Sequence, residues 1–196
     1  MINEERERMK KAGRQFVEPI RDKEKIILMK QYLAEQSYRN YFIFVFGINT
    51  GLYLTDILAL RVKDVRNKDY IKVDENGSGR IRTIVFSSGL KREISKYTNY
   101  KKDDQLLFPS RKGDKPIGRQ TIWRFINEAA KASGVTGNLG AHTMRKTYGF
   151  HLYERTKDAV SLQIQFGHKY PSDSLRYIGI DEKTINMVNR KLAVQI

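Results

Sequence analysis

The stretch YIKVDENGSGRIRTIVF, residues 70–86, decides the fold class, because it is the one clear hairpin in a chain that is otherwise helical in pattern. Apolar and polar residues alternate in residues 70–74 and 81–86, which predicts two short strands. The turn between them, residues 75–79, contains Asn76, Gly77 and Gly79, residue types that accept a positive φ. The pattern therefore predicts an antiparallel pair of strands inside a helical domain.

Helical periodicity surrounds this hairpin. Asp22 is a good N-cap residue, and apolar residues follow it at helical spacing. These apolar residues are Ile26, Ile27, Met29, Tyr32 and Leu33. Residues 39–48, RNYFIFVFGI, are apolar nearly all round, which predicts a buried helix that ends at residues 49–51. A short helix is predicted from Thr55 or Asp56, and longer ones at about 88–99, 119–133, 142–155, 157–166 and 182–193.

These elements predict a mostly helical α+β single domain with one small antiparallel β-sheet. Residues 108–116 are expected to form a basic loop, because turn residues stand at both ends. Residues 1–16 carry mixed charge and no apolar stripe, which predicts a tail or a frayed helix. We therefore assign residues 1–20 to an N-terminal tail and residues 21–196 to the domain, which is long enough to bury a core.

Composition limits the function. The chain has 37 Lys and Arg against 22 Asp and Glu, a net charge of +15, and residues 57–131 alone carry +9. So large a surplus favours a polyanionic partner over a merely solvated basic surface, and no long amphipathic helix suggests a membrane surface. The absence of cysteine excludes disulfides, thiolate metal sites and a cysteine nucleophile. With no apolar run long enough to span a bilayer, a cytoplasmic protein is expected.

The clearest candidates for chemistry are His142 and Arg145, in the stretch GAHTMRKT. They are three residues apart at the start of a predicted helix, so both project from one face. An imidazole beside a guanidinium suits a phosphate oxyanion. The alternative is a helix cap with a surface arginine. His151 falls on the opposite face and is interpreted as structural.

A second candidate stretch, FGHKYPSDSLRYIGI, contains His168 and Tyr177. Its Pro-Ser pair predicts a helical turn that leads to Tyr177. A tyrosine can act as a nucleophile only beside strong cations, because the ordinary pKa of its phenol is about 10.

Four motifs, in chain order, resemble the tyrosine recombinases, also called phage integrases. They are TGLYLTDILALR at residues 50–61, His-Thr-Met-Arg at 142–145, Gly-His at 167–168 and LRYIGI at 175–180. The resemblance covers about residues 20–190, the catalytic domain of that family. It implies attack by a tyrosine on a DNA phosphodiester, a 3′-phosphotyrosyl intermediate and a free 5′-hydroxyl, with no metal or cofactor. By position, Tyr177 would be the nucleophile, Arg145 an arginine of the phosphate site, and His142 and His168 the histidines beside the phosphate.

The same resemblance shows two departures from the family pattern. The family's first arginine directly follows Thr-Gly-Leu, where this chain has Tyr53. The family's hairpin lysine, which protonates the leaving oxygen, aligns with Gly77. Lys72 or Arg80 could substitute for it in another register, although arginine is a poor proton donor. Arg61 matches a different family position. Two departures at independent motifs predict an impaired enzyme.

Double-stranded DNA is the expected partner. The basic residues that we predict to bind it are Lys72, Arg80, Arg82, Arg111, Lys112, Lys115, Arg119, Lys146, Lys169 and Arg176. Because residues 1–20 are too short for the family's N-terminal DNA clamp, we expect weak binding that depends strongly on salt.

Two functions remain open: a site-specific recombinase, slowed by these departures, and an inactive DNA-binding regulator that keeps the fold and assembles with an intact recombinase. A metal-dependent nuclease fits poorly, because the sequence has no carboxylate cluster for magnesium. In the last segment, Ile185, Val188 and Leu192 recur at helical spacing. This helix would dock either on a neighbouring protomer, as a homo-oligomer on DNA, or on its own core.

Overall fold

The computed structural model describes residues 17–111 and 113–192. The helices are α1 (Lys23–Gln36), α2 (Tyr38–Thr50), α3 (Leu54–Ala59), α4 (Val62–Val65), α5 (Ser88–Thr98), α6 (Arg119–Ala132), α7 (Thr143–Thr156), α8 (Ala159–Phe166), α9 (Pro171–Tyr177) and α10 (Glu182–Leu192). The strands are β1 (Tyr70–Asp74), β2 (Ile81–Val85), β3 (Pro109–Ser110) and β4 (Gly113–Pro116). The expected mostly helical α+β fold is confirmed.

The first two helices form as predicted, for local reasons. The Asp22 side chain accepts hydrogen bonds from the backbone N–H groups of Glu24 (2.8 Å) and Lys25 (3.3 Å), which satisfies donors that the first turn leaves free. Helix α2 is buried on nearly every side and ends at Gly51, whose φ of 61° is the left-handed conformation that terminates many helices.

The central hairpin forms from the two predicted strands. Tyr70 pairs with Val85 and Asp74 with Ile81, and a short 3₁₀ turn at Glu75–Gly77 connects the strands. Asn76 adopts a φ of 58°, as its residue type allows.

Residues 108–116 differ from the expected loop. They contain β3 and β4, which pair antiparallel with an irregular register. The helix α4 was also not predicted, because four residues are too few to show a helical period.

Two hydrophobic clusters make up the core within residues 17–111 and 113–192. The larger surrounds α2, whose Phe42, Phe44 and Phe46 are fully buried, and α1, α5, α6 and the hairpin pack around them. The smaller joins α7, α8, α9 and α10 around residues such as Leu162 and Leu175. Helix α7 contributes to both clusters, so it connects the hairpin side of the molecule to the segment that carries Tyr177.

Both ends of the described chain pack onto this core. Ile20, assigned above to the tail, is buried, and its N–H donates to the Thr147 hydroxyl at 2.9 Å. Ile185 of α10 is fully buried in the smaller cluster with Val188 beside it. Of the two alternatives for this helix, these residues agree with docking on the chain's own core. The predicted tail at 1–16 and the side chain of Leu192 lie outside the described residues. Across residues 17–111 and 113–192, every helix is too short or too polar to cross a membrane.

Gly51 gives a test of this packing. A Cβ on Gly51 would come within 2.3 Å of the Tyr148 ring, whereas a Cβ on Gly79, also at positive φ, would meet no atom within 4 Å. We expect Gly79→Ala to lower the unfolding free energy by about 1 kcal/mol through backbone strain alone. Gly51→Ala adds a steric clash and should cost about 2–5 kcal/mol in total. Urea unfolding measures both, and equal losses would contradict this packing around α2.

Candidate active site

Four residues predicted from the sequence converge on one site. Tyr177 at the end of α9 lies beside His142, which precedes α7, and a hydrogen bond joins the phenol oxygen to His142 Nδ1 at 3.2 Å. His168, from the turn between α8 and α9, stacks edge-on against Tyr177 with ring centroids 5.3 Å apart. Arg145 completes the group from the first turn of α7. Residues distant in sequence are thus brought together by the packing of α7 against α8 and α9.

Arg145 is a buried arginine, with only 2% of its surface exposed, so the alternative of a surface arginine is wrong. Its Nη1 donates to the Gly51 carbonyl at 2.6 Å and to Glu75 Oε1 at 2.7 Å. The guanidinium carbon lies 3.9 Å from the centre of the Tyr53 ring and 4.5 Å from that of Phe166. Aromatic faces and one carboxylate therefore enclose this cation.

Glu75 is the carboxylate at the centre of an ion-pair cluster with Arg80, Arg82 and Arg145, and its side chain is 3% exposed. Besides Arg145, it pairs with Arg82 through Oε1 at 3.2 Å and with Arg80 through Oε2. One buried acid therefore meets three guanidinium groups from the hairpin and α7. The sequence pattern indicates only a turn residue at Glu75 and gives no sign of this role.

Arg82 holds the hairpin against the end of α2. Its Nη2 donates to the Thr50 carbonyl at 2.9 Å, and its Nη1 donates to the Gly51 carbonyl at 3.3 Å as well as to Glu75. Its Nε donates to the Gln165 side chain at 3.1 Å. These contacts use the guanidinium on every side, and Arg82 is buried.

The His168 ring is fixed by its neighbours. Its Nδ1 lies 2.8 Å from the hydroxyl of Ser174, a fully buried residue of α9. The preceding residue, Gly167, has a φ of 69°, and a Cβ there would come within 2.5 Å of the Arg80 guanidinium. Glycine is needed at this position both for its conformation and for the close approach of Arg80.

The two positions interpreted above as departures from the family pattern have different surroundings. The Tyr53 ring stacks on Arg145 and also packs edge-on against His142, with ring centroids 6.1 Å apart. Gly77 is at the exposed tip of the hairpin with a φ of 65°, and a Cβ added there would meet no atom within 4 Å. Tyr53 thus packs against the residues of the site, whereas a side chain at position 77 would be surrounded by solvent.

The surroundings shift the pKa values of the titratable groups. Burial raises the pKa of the Tyr177 phenol well above its ordinary value, and the Arg145 charge opposes this rise without cancelling it. Loss of solvation, with the charges of Lys146 and Arg145, lowers the pKa of His142. The same loss of solvation, with the charge of Arg145, lowers the pKa of His168. The site therefore combines a protonated phenol with neutral imidazoles at neutral pH.

The other predicted DNA-binding residues occupy different environments. Those with exposed side chains are Lys72, Arg111, Lys115, Arg119 and Lys169. Lys146 is buried and lies over the Tyr177 ring at 4.9 Å, while Arg176 is half-buried and pairs with Glu182 at 2.8 Å. Lys112 lies outside the described residues. His151 bonds the Ile20 carbonyl at 2.9 Å through Nε2, away from this site.

Comparison with known proteins agrees with this geometry. The model of the phage integrase family matches residues 17–183. The chain belongs to the phage integrase family. The probable integrase/recombinase YoeC of Bacillus subtilis (strain 168) is 48% identical over 169 residues, which are 86% of this chain and 93% of that protein. The type 1 fimbriae regulatory protein FimE of Escherichia coli (strain K12) is 25% identical over 79% of this chain and 84% of its own.

Solved structures of integrases share the fold. The crystal structure of XerA recombinase matches with a TM-score of 0.69 at 17% identity, covering 100% of this chain and 75% of that one. A lambda integrase dimer bound to a COC′ core site matches with a TM-score of 0.64 at 19% identity, over 85% of this chain and 48% of that one. The resemblance to the catalytic domain of tyrosine recombinases is therefore confirmed.

The histidines provide a test of the site's electrostatics. The chain has three histidines, so NMR can follow each imidazole, and the variants His142→Asn and His168→Asn assign two of them. We expect His142 and His168 to titrate below the ordinary value of about 6.5. A histidine with a lowered pKa binds its proton more tightly in the unfolded chain, so both should reduce stability as the pH falls below that value. A midpoint above 6.5 for either ring would contradict the described surroundings.

Proposed function

We propose that this phage integrase family member binds double-stranded DNA and breaks and rejoins it through Tyr177, at a rate reduced by the residues at positions 53 and 77. The observation that supports this most is the convergence of Tyr177, His142, Arg145 and His168, with Tyr177 and His142 in direct hydrogen-bond contact. A phenol, two imidazoles and a guanidinium in one place are the groups that nucleophilic attack on a phosphodiester requires.

In this proposal His142 takes the proton from Tyr177. Because the pKa of the phenol is raised, Tyr177 must lose its proton as it attacks, and a neutral imidazole 3.2 Å away is a suitable acceptor. The phenol oxygen forms a bond to phosphorus, the bond from phosphorus to the 5′-oxygen breaks, and that oxygen takes a proton from solvent water and leaves as a 5′-hydroxyl. The reverse attack by a 5′-hydroxyl restores the DNA and the phenol.

The proposed phosphate site has only part of the positive charge that the family pattern leads us to expect. Arg145 and His168 flank Tyr177 and would stabilise the negative charge that develops on the phosphoryl oxygens. Tyr53 supplies no charge where the family pattern has an arginine, and loss of one such donor typically costs about 10²–10³ in rate. Gly77 supplies no proton to the leaving oxygen. These two losses are the basis for proposing a slow enzyme.

DNA is the substrate most consistent with the chain's charge. The net charge is +15, and five of the predicted contact residues are exposed. The similar XerH and lambda integrase chains were solved on DNA, the latter also as a tetramer on a Holliday junction. We therefore propose that this chain also assembles on DNA, as copies of itself or with an intact recombinase.

One observation favours the second candidate, an inactive DNA-binding regulator. Arg145 uses its Nη1 donors on Glu75 and Gly51, so fewer donors face an incoming phosphate. The two candidates differ in whether a covalent DNA adduct forms.

Binding to DNA predicts a specific salt dependence. Lys72→Gln and Arg119→Gln each remove an exposed charge and should reduce the slope of log K against log salt by about 1. Lys96→Gln serves as the control, since Lys96 lies on α5 beside Glu93 and is outside the predicted DNA contacts. Fluorescence anisotropy with a labelled duplex measures the slopes. Unchanged slopes in both test variants would contradict the assigned DNA surface.

Covalent capture tests the cleavage step. Supercoiled and nicked DNA are incubated at low salt with the wild-type protein, Tyr177→Phe and the double variant Tyr53→Arg/Gly77→Lys, and protein–DNA adducts are separated under denaturing conditions. We expect a small amount of adduct with the wild type, none with Tyr177→Phe, and at least about tenfold more with the double variant.

The double variant needs a control for folding, because Gly77 has a positive φ and a lysine there costs about 1–2 kcal/mol. Ser78→Lys in place of Gly77→Lys puts the lysine at a φ of −84° and avoids this strain. An adduct with the double variants alone would favour the inactive regulator, and an adduct that persists in Tyr177→Phe would refute the assigned nucleophile.

A further inference from the structure

Glu75 is buried within the site but has no role in the proposed cleavage mechanism. It is a carboxylate with 3% exposure, at the start of a hairpin turn, inside a site that should receive a negatively charged phosphate. Burial of an ionised carboxylate is costly unless cations and hydrogen bonds compensate it. Here the compensation comes from arginines, one of which is the arginine assigned to the phosphate.

The charges around Glu75 do not balance. Arg145, Arg82 and Arg80 contribute three positive charges, and within the described part of the chain Glu75 is the one carboxylate that the structure shows paired with them. Two positive charges remain, with Arg145 and Arg82 both buried. These ion pairs therefore leave the cluster with a surplus of positive charge, which would attract a further anion.

A carboxylate and a phosphate make the same kind of contact with guanidinium groups. Both present two oxygens to the forked N–H donors, at the distance of about 2.7–2.9 Å typical of charged hydrogen bonds. Arg145 donates to Glu75 Oε1 at 2.7 Å, within that range. Glu75 therefore occupies donors that a phosphodiester would otherwise use.

The hairpin turn allows Glu75 to leave. Residues 76–79 are exposed, and a Cβ on Gly77 or Gly79 would meet nothing within 4 Å. Polar contacts hold the turn in place: the Thr55 hydroxyl donates to the Asn76 side chain at 3.0 Å, and the Asn76 N–H donates to Asp56 at 3.2 Å. Movement of this turn would break these hydrogen bonds at the surface together with the buried ion pairs of Glu75, which an arriving phosphate would replace.

We propose that Glu75 is an internal substitute for the DNA phosphate: it neutralises Arg145 in the free protein and gives up this position when a phosphodiester binds. Glu75 would thus regulate the site described under Proposed function, and its role rests on that function. The free protein is then a restrained form, in which binding of DNA exchanges one anion for another.

The test replaces the Glu75 charge and supplies inorganic phosphate. Thermal unfolding of wild type and Glu75→Gln is followed in sodium chloride and in sodium phosphate at equal ionic strength. Glu75→Gln leaves the buried arginines without their carboxylate, so phosphate should raise its Tm by at least about 5 °C more than it raises that of the wild type. The same variant should bind a DNA duplex about fivefold more tightly, since one more guanidinium is available to a phosphate.

Two further variants control for other effects. Glu154→Gln removes a surface carboxylate that pairs with Lys157, and it should respond to phosphate as the wild type does. Glu75→Asp keeps the charge and should respond less than Glu75→Gln. If Glu75→Gln is unfolded in chloride, recovery of its folded circular dichroism signal in phosphate is the expected result, and no recovery would overturn the proposal.

Equal phosphate responses in wild type and a folded Glu75→Gln would also overturn it. This experiment needs no DNA cleavage, so its outcome is separate from that of covalent capture. A phosphate response without any Tyr177 adduct would support the role of Glu75 and defeat the proposed cleavage. A Tyr177 adduct without a phosphate response would support the proposed cleavage and defeat the role of Glu75.

Discussion

The ion pair between Glu75 and Arg145 is the contact on which the arrangement of the site depends in the free protein. It joins the hairpin turn to the first turn of α7, and Arg82 extends the same cluster to the end of α2 through the Thr50 and Gly51 carbonyls. Because these groups are buried, each needs the others to compensate its loss of solvation. The position of Tyr177 follows from this cluster, since its neighbours Arg145 and His142 are fixed at the start of α7.

Much of this could be predicted from the sequence, because local chemistry determined it. The N-cap at Asp22, the end of α2 at Gly51 and the hairpin all follow from residue type and period. The resemblance also identified the four residues that converge, although their spacing alone left a surface arginine open. Arg82 was predicted to contact DNA, yet it shares the inward-facing side of β2 with Ile84, and this alternation was a signal for burial.

Glu75 could not be predicted in the same way. It follows β1 in the alternation that buries Ile71, but a carboxylate next to Asp74 in a turn rich in Asn and Gly is typical of a solvated loop. Its burial depends on arginines that are distant along the chain or on the opposite strand, and a local pattern does not show such partners. The pair β3 and β4 was missed for a similar reason, because strands of two and four residues around Pro and Gly resemble a loop.

A double-mutant cycle between Glu75 and Arg145 tests the central claim most directly. The unfolding free energies of wild type, Glu75→Gln, Arg145→Gln and the double variant would be measured in urea without phosphate. Removing one partner of a buried ion pair typically costs about 3–5 kcal/mol, and the double variant should cost less than the sum of the single variants by at least about 1.5 kcal/mol. Single effects that add to within about 0.5 kcal/mol would show that the two residues do not depend on each other and would contradict this account.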